Sequence, residues 1–247
     1  MKTLYSVAIG PVIASALTVA VATQSKHLIR ATESMGVQPK SFLVKGTKTA
    51  TLNNRKFRFE IGGELPDKFL WKEELGVQGV LLRGFNGRDL ITDSPPSFST
   101  GQQKPGLSFD DQIGVAQLNF IVVTMGLAPS SYASVPLTFN DTVTAPPTVS
   151  IQSAGRFNGT LELDLSTFLP KRLRYVVEAG MEGGGRLARE WVYADYREVQ
   201  GRKAPFQWDW FAGSERTQPL KMAARYVVEE LSFDGPFPKD YFRPSPK

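Results

Sequence analysis

The strongest constraint in this chain is a period of two. From residue 41 onward apolar and polar residues change places at successive positions. Only a strand, whose side chains point to opposite faces in turn, keeps such a pattern on one side. Arg55-Lys56-Phe57-Arg58-Phe59-Glu60-Ile61 is the cleanest case, with charges on one face and Phe57, Phe59 and Ile61 on the other. Phe42, Val44 and Gly46 alternate in the same way, and Asn53-Asn54 offers a turn between the two runs. After the breaks at Gly62-Gly63 and Pro66-Asp67, residues 68–73 and 79–85 read as two more strands. Asn86-Gly87 then predicts a tight hairpin into Leu90-Ile91, because both residues tolerate the positive φ of a type I′ turn. The N-terminal half is predicted to be an antiparallel meander.

Residues 94–109, rich in Pro, Ser, Gly and Gln, are expected to form a long surface loop. The period then changes. Asp110-Asp111 opens a helical segment to about Met125, with its acids where the helix dipole favours them, and Gly126 ends it. Ile113, Val115, Ala116, Leu118 and Phe120 to Val123 make it apolar on much of its circumference, which predicts a helix embraced by other elements. A shorter helix over residues 25–37 begins at Ser25 and stops at Gly36. Residues 128–147 are expected to be a second loop dividing two β-rich halves. Beyond it Leu161, Leu163 and Leu165 are expected to face one way, followed by Leu173, Tyr175 and Val177. Strands are predicted over residues 186–199, 204–212 and 219–233. The fold class is therefore α+β, one large antiparallel sheet around a central helix, in a single domain over residues 23–247.

Composition limits the chemistry. The 247 residues include no Cys, which removes disulfides, thiolate metal sites and thiol nucleophiles together. One histidine, His27, cannot build a multi-His metal site. No metal, no cofactor and no catalytic residue is assigned, and the protein is not expected to be an enzyme. The net charge of +5 is dispersed along the chain with no clustered basic reader, so no nucleic-acid partner is expected. The glycine-rich run over residues 180–185 lacks the Lys-Ser/Thr of a phosphate-binding loop and precedes a strand, so it reads as a hairpin loop. Asp110/Asp111, Glu73/Glu74 and Glu229/Glu230 read as capping or solvated acids, because neighbours on a strand point to opposite faces. At the N-terminus, Lys2 precedes an uncharged apolar stretch over residues 4–22 that ends Ala20-Val21-Ala22. This pattern predicts a signal peptide over residues 1–22, with an uncleaved anchor as the rival reading.

The positive signal is aromatic. Phe57 and Phe59, Phe69 and Trp71, and Phe206, Trp208 and Trp210 stand at alternate positions, so several strands present large rings to one face. One reading is an ordinary packed core. The other is an apolar pocket, since one helix against a broad curved sheet leaves part of the concavity unfilled. These seven residues are the candidate ligand-binding set.

The run from Tyr193 through Asp195-Tyr196-Arg197-Glu198-Val199, turning at Gly201 and resuming at Pro205-Phe206, resembles exported bacterial proteins of the LolA-like, outer-membrane lipoprotein-sorting superfamily. The turn over Leu165 to Arg172, the Gly84-Phe85-Asn86-Gly87 hairpin and the helix-then-strand opening over residues 25–51 carry the same resemblance. It implies a half-barrel: an antiparallel sheet curled around one or two helices, with an apolar cavity that holds lipoprotein acyl chains in the type members. It brings no catalytic residues. It also implies a periplasmic location, or a membrane anchor facing the periplasm. The expected function is binding of a lipid or acyl-bearing hydrophobic ligand in the cavity, for lipid or lipoprotein carriage in the cell envelope. The alternative is an envelope sensor or interaction domain whose cavity is filled by its own side chains and whose loops contact a protein partner.

Overall fold

The computed structural model describes residues 25–87, 89–93, 109–129, 137–142, 144–153, 157–178, 186–216 and 219–243. The expected signal peptide over residues 1–22, the loop over 180–185 and all but the last residue of the loop over 94–109 lie outside the described residues. The elements in chain order are α1 (Lys26–Met35), β1 (Ser41–Ala50), β2 (Lys56–Glu64), β3 (Lys68–Glu74), β4 (Val80–Asn86), β5 (Leu90–Asp93) and α2 (Phe109–Leu127), then β6 (Leu137–Thr142), β7 (Thr148–Ser153), β8 (Phe157–Leu163), β9 (Pro170–Glu178), β10 (Arg186–Val199), β11 (Arg202–Ser214) and β12 (Lys221–Phe233).

All twelve strands join one open antiparallel sheet in the order β5-β4-β3-β2-β1-β12-β11-β10-β9-β8-β7-β6. Two meanders, β1 to β5 and β6 to β12, thus meet along a single seam between β1 and β12. Local chemistry sets the turns. Gln200 and Gly201 have φ of 51° and 73° and connect β10 to β11 as a two-residue type I′ loop, whose twist matches that of the flanking strands. Asn54, at φ 55°, turns β1 into β2, and the Asn53 side-chain oxygen accepts from the Arg55 N–H at 3.1 Å.

The sheet is strongly curled. Trp71 on β3 and Trp191 on β10 are five strands apart in the sheet order, about 24 Å if it were flat. Their ring centroids are 6.1 Å apart. This is the half-barrel that the sequence predicts.

The helices fill its concave side. From Phe120 to Leu127 every residue of α2 is buried. Phe120 packs edge-on against Phe69 and Phe85, and the Tyr193 hydroxyl donates to the Val122 carbonyl at 2.7 Å. The missing side chain of Gly126 lets the Tyr193 ring approach, since a methyl group there would meet it at 2.8 Å. Arg202 donates to the Leu127 carbonyl at 3.4 Å, placing a cation at the negative end of the helix. At the same end α1 is capped by Ser25, whose hydroxyl oxygen accepts from the Leu28 N–H at 3.0 Å and whose proton goes to Asp141. The opposite end, carrying the β1–β2 and β3–β4 turns, is called the mouth below. On the convex face the C-terminal segment lays Phe237, Tyr241 and Phe242 over Leu70 and Ile91, and the Tyr241 hydroxyl donates to Glu60 at 2.9 Å.

Two expectations are corrected. Residues 128–147 are not one loop, because β6 lies within them, and β7 follows directly. Leu165 does not continue the inward row of Leu161 and Leu163. The strand ends at Leu163, Asp164 accepts from the Ser166 and Thr167 backbone at 3.0 and 2.8 Å to form a turn, and Leu165 is left 65% exposed.

Candidate functional site

The inner face of the sheet carries a polar band in an otherwise apolar wall. Its centre is Glu73, 4% exposed. The alternation Phe69, Trp71, Glu73 turns this carboxylate inward and leaves Glu74 outside. Register then brings Lys48 on β1 and Tyr226 on β12 together as direct cross-strand partners. Glu73 accepts two bonds from Lys48 Nζ at 2.7 and 3.0 Å, one from Trp71 Nε1 at 3.0 Å and one from the Tyr226 hydroxyl at 3.1 Å. Three of these bonds fall on Oε1 and one on Oε2, so a single carboxylate holds an ammonium, an indole and a phenol in place. The reading of the Glu73/Glu74 pair as solvated is therefore corrected for Glu73. On the outward face of β3, Glu74 pairs with Lys72 at 3.4 Å.

Rings enclose this pair. Tyr226 contacts Trp71 at 5.7 Å, Trp191 at 5.4 Å and Phe59 at 5.3 Å between centroids, and Lys48 Nζ lies 5.4 Å from the centre of the Tyr226 ring. Trp210 stacks on Trp191 at 6.0 Å with 16° between planes, and the Arg189 guanidinium stands 5.8 Å over Trp210. Trp191 Nε1 donates to the Tyr175 hydroxyl at 3.3 Å. Burial pushes Tyr175 up to about 12, against the opposing effects of the Trp191 hydrogen bond and the Arg189 charge. Tyr226 is held well above the usual phenol range by burial and then by the Glu73 carboxylate, with Arg83 opposing part of the rise.

These directions fix an alkaline limit. A raised folded-state value means that the native protein keeps protons which the unfolded chain releases above about pH 10. Stability is then fully present below pH 10 and falls as pH rises toward the folded-state values. For Tyr175, between its ordinary 10.0 and about 12, the loss is about 3 kcal/mol. A spectrophotometric titration at high pH is expected to leave part of the seven tyrosines protonated until circular dichroism reports unfolding. Smooth ionisation of all of them near pH 10 in a folded protein would contradict the assignment.

The seven sequence-predicted residues divide. Phe59, Phe69 and Trp208 are packed core: Phe69 lies against Phe120, Phe59 is 6.3 Å from Trp208, and Trp208, 1% exposed, donates from Nε1 to the Pro205 carbonyl at 3.1 Å. Phe206 is buried under the Arg197 guanidinium at 4.6 Å. Trp71 belongs to the polar band, and Trp210 and Phe57 are half-buried near the mouth. The sequence reading missed Lys48, Glu73, Arg83, Tyr175, Arg189, Trp191 and Tyr226. For Glu73 the signal was available in the phase of Phe69 and Trp71. For the others, strand register pairs Lys48 with Tyr226, Arg83 with Trp71 and Arg189 with Tyr175, and the curl of the sheet brings those pairs together. Among the described residues no group of three or more His, Cys, Asp or Glu side chains is placed to hold a metal ion, and no helix is long and apolar enough to cross a membrane.

No protein-family model matches the chain, and no curated protein matches it in sequence. Solved structures do match it. A LolA superfamily protein from Nitrosomonas europaea aligns with 87% of this chain and 95% of its own, at 11% identity and a TM-score of 0.50. A DUF1329 family protein from Desulfovibrio piger aligns with 87% of this chain and 94% of its own, at 8% identity and a TM-score of 0.45. At these identities the likeness concerns the fold, which is LolA-like.

Proposed function

We propose that the protein is an exported, non-enzymatic binder of a lipid or acyl-bearing ligand, taken up at the mouth of the half-barrel. The observation that carries the reading is Trp210, a large ring stacked on Trp191 inside the concave face and only half-buried. An apolar surface of that size in a concavity is stabilised by an apolar occupant, at roughly 25 cal/mol per Å² removed from water. Phe57, Trp71 and Trp210 form the contact surface in this reading, and Phe59, Phe69, Phe206 and Trp208 form the packed layer that holds it. Carriage of lipid or lipoprotein in the envelope is the biological role that fits such a site. Export rests on the segment over residues 1–22.

A second reading has its own support. Trp71, Trp191 and Tyr226 touch one another across the interior, so the half-barrel fills itself at their level. That favours an envelope sensor or interaction domain with a protein partner.

One experiment separates the two. Organic extraction of the purified protein followed by mass spectrometry is expected to release a lipid, and a nitroxide-labelled stearate is expected to quench tryptophan fluorescence. Trp210→Ala should remain folded and bind the probe about tenfold more weakly, as the loss of one large apolar contact implies. A wild-type protein that yields no lipid and ignores the probe would establish the second reading.

A further inference from the structure

Near the mouth, the described residues of the inner face include three cations, Lys48, Arg83 and Arg189, and one carboxylate, Glu73. Lys48 is matched by Glu73. Arg83 and Arg189 have no acidic side chain within ion-pairing distance among the described residues, and neither is solvated like a surface arginine, since both are half-buried. The Arg189 guanidinium makes one long bond, at 3.4 Å, to the carbonyl of its own neighbour Ala188.

Register fixes where the two stand. Arg83 on β4 is the direct cross-strand partner of Trp71. Arg189 on β10 is the partner of Tyr175 and lies two residues before Trp191 on the same face. Because Trp71 and Trp191 meet across the interior at 6.1 Å, the arginines flank one ring cluster from opposite walls. Arg189 lies over the half-buried Trp210. Arg83 is close enough to Tyr226 for its charge to act on that hydroxyl.

A half-buried guanidinium without a partner has lost part of its hydration and gained no counter-charge. Neutral residues would line an apolar cavity at lower cost. Two such groups beside an aromatic surface are the arrangement that an amphiphile with a negative head satisfies, its oxyanion accepting charge-assisted hydrogen bonds and its chain covering the rings.

We propose that the mouth binds the oxyanion headgroup of an amphiphile, a carboxylate or a phosphate monoester, through Arg83 and Arg189. This rests on the reading of the mouth as an apolar ligand site and adds the chemistry of the head. The alkyl part lies on Trp210 and its neighbours, and Lys48, held by Glu73, orients the ring cluster without contacting the head.

The test uses oleate, methyl oleate, 1-oleoyl lysophosphatidate and inorganic phosphate, each below any micellar concentration, against the full chain by tryptophan fluorescence and calorimetry. The wild type is expected to bind oleate or the lysophosphatidate at least tenfold more tightly than methyl oleate. An Arg83→Gln/Arg189→Gln double variant is expected to lose that preference, read as the ratio of its own affinities for oleate or the lysophosphatidate and for methyl oleate. Equal binding of oleate, the lysophosphatidate and methyl oleate by the wild type would overturn the headgroup site and leave the apolar reading standing. If none of the three oleoyl compounds binds, the apolar reading itself fails. Inorganic phosphate binding as tightly as the lysophosphatidate would make this a free-anion site and overturn the amphiphile. The wild-type comparison decides the matter even if the double variant does not fold, and a folded variant that keeps the preference would remove the two arginines from the site.

Discussion

Glu73→Ala is expected to cost about 3–5 kcal/mol of folding stability, because it leaves the Lys48 ammonium in a largely closed interior with no counter-charge. It also removes the acceptor for Trp71 Nε1 and the Tyr226 hydroxyl, two further donors in the same buried space. The sign depends on which partner is taken away. Glu73→Gln keeps an acceptor for both donors and loses only the charge match, so a smaller loss is expected. Lys48→Met combined with Glu73→Gln removes both charges, and most of the stability should return. Urea unfolding followed by tryptophan fluorescence measures all three. A Glu73→Ala protein within about 1 kcal/mol of wild type would mean that the pair is solvated and contributes like an ordinary surface salt bridge.

The second large effect is expected at Gly46. A methyl group there would stand 2.1 Å from the Val227 carbonyl oxygen and 2.9 Å from Cε1 of Phe59. Backbone of the partner strand cannot rotate away as a side-chain tip can. The site is also the one where the register between β1 and β12 shifts, between Lys45 and Gly46. Gly46→Ala is therefore expected to separate the strands locally and to cost more than about 3 kcal/mol, at the upper end for overpacking. Hydrogen exchange should accelerate first in β1 and β12. Gly235→Ala, with no atom within 4 Å of the added methyl, serves as a neutral control. Equal urea midpoints for the two variants would contradict the close approach at the seam.

The strands that are legible in the sequence are those with one clearly apolar face. β2 declares itself through Phe57, Phe59 and Ile61, and the tight turns declare themselves through Asn and Gly. β6 does not. Its sequence Leu-Thr-Phe-Asn-Asp-Thr buries only Leu137 fully. An edge strand pairs on one side alone and needs little apolar surface, so its composition is that of a loop. β7 is different, since Val149 and Ile151 alternate inward between Ser150 and Gln152, a signal short enough to be lost behind Pro146-Pro147. For the site, spacing gives the inward phase of Trp71 and of Glu73. It does not give Lys48 and Tyr226, which lie 25 and 153 residues from Glu73 and reach it through strand register and the curl of the sheet together.

The seam also sets an order of events. Each meander is built from neighbouring strands joined by short turns, contacts that close quickly. The β1–β12 pairing joins Phe42 to Phe233, across almost the whole chain, and its loop-closure entropy must be met before any of its bonds form. β12 is the last strand among the described residues, so a chain emerging from its N-terminus holds β1 with one free edge until Phe233 has been made. The half-barrel cannot close around α2 before then, and the N-terminal meander keeps an unpaired edge for as long as its partner is missing.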